Sequence, residues 1–295
     1  MWRPAYIAQY FIIIVVSIAN IGLVFILQQR ASLKAQCKGN NYLAVFFIAI
    51  LLVSLSYLQY SIVWLVFTFN LVGDFPFSGE LFMTSGNLTT SLRVFYDAVT
   101  IMMLCHRIVS IRVPLFKCKL NFFTVLFVPA IISLLLFITL IYDGVNVIAI
   151  RSATSSSKDC MQNLVQKCSA ITTIYNQFFF LSRLISSILV VGFGLIFHLF
   201  YRQYKKQLMV IRKSKVNEFV ISVFYLRVIL EVIPFACDNI LRRTADVNLS
   251  EYIGAYGALG GTLDVFFCIC AYFIPMLRKM KNKAASRRIS TVNGW

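Results

Sequence analysis

Residues 6–27 read YIAQYFIIIVVSIANIGLVFIL, a run with no charged side chain and only three polar breaks, Gln9, Ser17 and Asn20. At about 1.5 Å of rise per residue, a helix of this length crosses a hydrocarbon core about 30 Å thick. It is too long for the apolar stretch of a secretory leader, typically about 7–15 residues, and no small-residue cleavage site follows it. Gln28, Gln29 and Arg30 end it. The run therefore predicts a retained membrane-spanning helix. Six further runs repeat the pattern, at about 42–69, 87–111, 122–142, 174–200, 219–240 and 253–277. In lipid a backbone must satisfy its own hydrogen bonds, so each run predicts a helix.

The expected fold is an all-α membrane protein with a seven-transmembrane helix bundle over residues 1–278 and a basic tail over 279–295. Composition agrees: 59% of residues are hydrophobic and 13% charged, where a soluble domain carries about 25% charged residues. Short connections predict antiparallel neighbours. The longest, about 143–173, holds a serine-rich stretch, 152–159, with Cys160 and Cys168 beyond it.

The formal charge of +17 raises nucleic-acid binding, but its placement points to membrane orientation instead. Three Lys or Arg lie in 28–41, four in 106–121, six in 201–218 and six in the tail from Arg278. The alternate set of segments holds six. Cationic loops stay on the cytoplasmic side, which predicts the N-terminus outside and the C-terminus inside. The basic stripe also suits the anionic inner leaflet, so membrane lipid is an expected partner and nucleic acid is not.

Outside, oxidising conditions permit disulfides. Cys160 and Cys168 are the candidates; a bond from one of them to Cys237 is the alternative. Two N-x-S/T sequons occur, and Asn248, in the sixth-to-seventh connection, is the candidate glycosylation site. Asn87 stands too close to the third helix for a glycosyltransferase. Gly257 and Gly261 have the spacing at which helix backbones approach closely. In the tail, Arg287-Arg288-Ile289-Ser290 marks Ser290 for phosphorylation, which would weaken attraction to the leaflet.

Catalysis has little support. Neither His106 nor His198 sits in a metal-ligand pattern, and Walker loops, G-x-S-x-G elbows and zinc-spaced cysteines are absent from the sequence. No enzyme activity, metal or cofactor is expected. Ionisable groups inside spans are functional candidates by default. Arg93 and Asp97 are i,i+4 neighbours on the third span and Arg227 and Glu231 on the sixth, so each pair can neutralise itself on one helix face. Arg183 and Asp264 are single charges. Arg93, Asp97, Glu231 and Asp264 are expected to face a central cavity, binding ligand or holding helices together.

The most specific local pattern closes the third span: His106-Arg107-Ile108-Val109-Ser110-Ile111-Arg112-Val113-Pro114-Leu115. It resembles the D-R-Y-x-x-I-x-x-P-L segment of G-protein-coupled receptors at Arg107, Ile111, Pro114 and Leu115. Pro234 and Pro275 resemble the sixth-helix and seventh-helix prolines of that family, and Asn20 its first-helix polar residue. The chain departs from the pattern at His106, at Ile274 and Arg278, and in lacking a Trp before Pro234 and an acid on the second span. This degenerate pattern is similar to the nematode serpentine chemoreceptors, and within them to the gamma-class superfamily.

The resemblance implies a chemosensory receptor in the plasma membrane, in a sensory cilium, that binds an extracellular small molecule or peptide and activates a heterotrimeric G protein. It implies switch roles for Arg107, Pro234 and Pro275, with Glu218 as the resting partner of Arg107. The competing reading is a small transporter or ligand-gated channel subunit, though no repeated halves are visible.

Overall fold

The computed structural model of the protein describes residues 3–29, 40–69, 71, 78–112, 121–151, 173–207, 215–245 and 255–292. Among them every regular element is helical. In chain order these are α1 (Arg3–Gln29), α2 (Asn41–Thr68), α3 (Ser78–Arg112), α4 (Phe122–Arg151), α5 (Thr173–Gln207), α6 and α7 (Tyr256–Val292). The sixth helix has three parts: Lys215–Arg227, a π-helical turn at Val228–Val232, and Ile233–Thr244. All seven are long and apolar enough to cross a membrane, and the chain is a multi-pass membrane protein.

Hydropathy located the lipid-length core of each helix, and the helices run past it. The start of α3 at Ser78 lies nine residues before the expected Asn87, and α7 continues from the apolar zone through the basic segment to Val292. Polar turns remain helical because nothing in 78–86 breaks the hydrogen-bond ladder, whereas hydropathy registers only burial in lipid. Asn40 caps α2, its side chain accepting from the Leu43 N–H at 3.4 Å.

Contacts at both ends fix the antiparallel arrangement. The ring of Tyr6 at the start of α1 stacks on Trp64 near the end of α2, and Tyr42 at the start of α2 stacks on His106 near the end of α3. Parallel α1 and α7 are tied by Gln9, whose Oε1 accepts from the Ala255 N–H at 2.6 Å, and by Asn20, whose Nδ2 donates to the Thr262 carbonyl at 3.3 Å. The face of the bundle where α1 begins is called the N-face below. The face where α3 ends is the C-face.

The core runs through α2, α3, α6 and α7. Phe46, Phe47, Tyr96, Phe219 and Tyr272 interlock there with centroid separations of 5.1–5.8 Å, in edge-on or tilted geometry. By contrast α1, α4 and α5 turn rows of large apolar side chains outward, among them Val15, Phe127 and Ile188. In lipid such rows cost nothing, and helix association rests on close packing and polar contacts instead.

Proline explains the break in α6. Pro234 has no N–H to give the Leu230 carbonyl, and its ring would collide with that oxygen in a regular α-helix. The chain widens by one residue: the Ile233 N–H reaches the Val228 carbonyl instead. The released Leu230 oxygen points at α7, where Gly260 receives it; a Cβ on Gly260 would stand 2.6 Å from that oxygen. The expected backbone approach is therefore at Gly260. The Gly257/Gly261 pair makes room for side chains, the Tyr57 hydroxyl lying where a Gly261 Cβ would go.

Candidate functional site: a buried charge cluster at the α6 turn

The π turn sits beside the most polar point of the core. Arg227, the last residue before it, is 1% exposed, and Asp264 on α7 is fully buried. Asp97 and Glu231 are nearly so. A bare ion in such surroundings is prohibitive, so each must be paired.

Arg227 is the hub. Its Nη2 donates to Asp97 Oδ1 on α3 and to Glu231 Oε2 within α6 at 3.0 Å, while its Nε lies 3.4 Å from Asp264 Oδ2. Its guanidinium lies 4.3 Å above the Tyr96 ring, adding a cation–π contact. Tyr96 in turn donates its hydroxyl to Asp264 Oδ2 at 3.2 Å, and Cys268 Sγ faces the other carboxylate oxygen at 3.7 Å. A second arginine extends the cluster towards the N-face. Arg93 Nη2 pairs with Glu231 Oε1 at 3.2 Å, and its Nη1 donates to the Tyr57 hydroxyl at 3.2 Å and the Gly257 carbonyl at 3.1 Å.

The four candidates Arg93, Asp97, Glu231 and Asp264 are thus together in one site, with a different wiring from the sequence reading. Arg227 and Glu231 form their expected i,i+4 pair. Arg93 and Asp97 cross instead to α6, because Glu231 and Arg227 stand opposite them. Arg227 was not among the ligand-site candidates, although its pairing with Glu231 was legible. Tyr57 and Tyr96 carried no signal in the sequence beyond being aromatic in apolar runs. Two arginines meet three carboxylates here, and Arg183 of α5 approaches as a third cation, 5.2 Å from the Phe235 ring. Every carboxylate of the cluster is occupied by a guanidinium, so the site is a clasp joining α3, α6 and α7. No three His, Cys, Asp or Glu among the described residues are placed to hold a metal.

Towards the C-face, Arg107 stands in the last turns of α3 with its Nε buried and without a hydrogen-bond partner. Glu218, its expected partner, is exposed, and no ion pair joins the two in this structure. The α6 helix turns Asn217 and Phe219 inward, which leaves Glu218 facing away. Arg112 lies 4.3 Å from the Phe200 ring of α5. Pro234 adjoins the π turn, whereas Pro275 lies exposed within α7. Asn87 is buried, out of a glycosyltransferase's reach. Cys237 is a free, exposed thiol here. Cys160, Cys168 and Asn248 lie outside the described residues, as does the side chain of Ser290.

No protein-family model matches this chain, and no curated protein sequence matches it.

Proposed function

We propose that this chain is a chemosensory receptor of the plasma membrane that couples an extracellular ligand to a heterotrimeric G protein, with its N-face outside and its C-face in the cytoplasm. The observation that carries the reading is the pairing of a clasp with a break. Arg227 and Glu231 bind α6 to α3 and α7 at the very turn where Pro234 interrupts the helix. A ligand that favours a different arrangement of the clasp shifts the population of α6 positions. The segment Lys215–Arg227 would then swing about the π turn. Arg107, which has no acidic partner among the described residues, lies towards the C-face end of α3, available to a carboxylate or backbone carbonyl of a partner. Basic segments 106–121 and 201–218 add cations on the same side.

The test is nucleotide exchange. The full chain in lipid nanodiscs, with purified G protein and a panel of small molecules and peptides, should give ligand-dependent exchange. Arg107→Ala should abolish exchange while leaving ligand binding and folding intact. Ligand-dependent ion current or solute uptake without exchange would replace the receptor reading with that of a channel or transporter.

A further inference from the structure

Beyond the π turn, α5 and α6 part. Their backbones approach along Lys215–Arg227 but draw apart along Ile233–Thr244, where side chains such as Phe180 and Phe235 still meet, leaving a groove between them with a volume of about 630 Å³. That volume is in the range of small-molecule sites, about 300–1,000 Å³. Its walls are apolar: Ile188, Val191 and Gly192 of α5 face Phe235 and Ile240 of α6. Gly192 forms open floor, since a Cβ there would meet nothing within 4 Å. Ile188 and Ile240 are largely exposed, so the groove opens sideways, towards lipid.

One end is different. Arg243 closes the groove at the N-face rim, with the Asn239 amide one turn below it. The Arg243 guanidinium lies 6.0 Å from the Phe180 ring. Asp238, the one acidic residue in Ile233–Thr244, interacts with Tyr256 on α7. From Val232 to Arg243 the groove runs about 16 Å along α6. A long apolar slot open to the bilayer, with one cation at its water-facing end, matches an amphiphile with a single chain and a single negative head. A guanidinium presents a planar fork of donors suited to a carboxylate.

We propose that this groove binds a long-chain carboxylic acid, its alkyl chain between α5 and α6 and its carboxylate on Arg243. Binding there does not depend on G-protein coupling. The occupant would reach the site from the membrane, its chain lying against Val232 of the π turn and Phe235, whose ring lies tilted to that of Phe180 at 5.7 Å.

The experiment uses the full chain in phosphatidylcholine nanodiscs with a diazirine-bearing palmitic acid, and maps labelled peptides after photolysis. Labelling should concentrate on α5 and α6 and be displaced by palmitic acid but not by hexadecanol or phosphatidic acid. Arg243→Gln should weaken capture roughly tenfold, the loss of one charge-assisted hydrogen bond. Gly192→Leu, whose Cβ meets nothing within 4 Å and whose longer side chain would enter the groove, should abolish it without lowering the unfolding midpoint. Label spread equally over the outward faces of α1 and α4, and indifferent to both substitutions, would mean bulk lipid only and overturn the proposal. Equal displacement by hexadecanol would remove the carboxylate's role, and preferential displacement by phosphatidic acid would assign the groove to a phospholipid. Either result also overturns it.

Discussion

The two halves of α6 are built on opposite principles. Before the π turn, Val220, Val223, Phe224 and Arg227 are buried, and the helix is locked into aromatic packing and the ion clasp. After it, among Ile233–Thr244, no side chain is buried, and Ile233 and Ile240 face outward. One proline and one extra residue in the turn separate a buried half from an outward-facing one. Function follows from the contrast if the turn transmits between them: the outward-facing half meets an occupant, and the buried half carries the change to the C-face.

Breaking the buried half should have the largest effect. Arg227→Gln leaves Asp97, Glu231 and Asp264 with one fewer cation in the core. Removing one partner from a buried pair typically costs about 3–5 kcal/mol. The loss should appear as poor surface expression and a lowered midpoint in denaturant titration of detergent-solubilised protein. Close in nature, smaller in size, is Gly260→Ala. Its methyl would meet the Leu230 oxygen at 2.6 Å, and overpacking of this kind costs about 1–3 kcal/mol. The control is Gly192→Ala on α5, across the groove from the second half of α6. It meets open space and gains about 1 kcal/mol of helix propensity, so its midpoint should not fall. Equal destabilisation by the two alanines would erase the distinction between the halves.

The smallest effect is expected at Glu218. Its side chain is exposed and makes no ion pair with Arg107. Glu218→Gln should leave both the unfolding midpoint and basal nucleotide exchange where they are. A rise in basal exchange would restore the resting lock read from the sequence.

What the sequence disclosed follows the scale of each force. Crossing a hydrocarbon core requires an apolar run of fixed length, so the seven helices were legible from composition along the chain. Their true ends were not, because the polar turns of α3 and α7 stay helical without leaving a hydropathy signal. Arg93, Asp97, Glu231 and Asp264 were legible because a charge within an apolar run must be answered by another. Their partners were hidden. An i,i+4 spacing names a neighbour on one helix, whereas the rotation that sets Arg93 against Glu231 and Asp97 against Arg227 comes from packing. Pro234 announced a break in α6, but the π turn and its Gly260 seat required the facing helix. The expected Arg107–Glu218 pair is not made in this structure, and spacing along the chain says nothing of which way Glu218 turns.

The account depends on Arg227 and Asp97 acting as one unit across α3 and α6. A double-mutant cycle with Arg227→Gln, Asp97→Asn and the pair, read by unfolding of the nanodisc-embedded protein, tests this directly. The account predicts that the double variant is far more stable than the sum of the single losses, with a coupling energy of about 2 kcal/mol or more, within the range for contacting charges. Losses that add to within about 0.5 kcal/mol, as for distant independent sites, would contradict it.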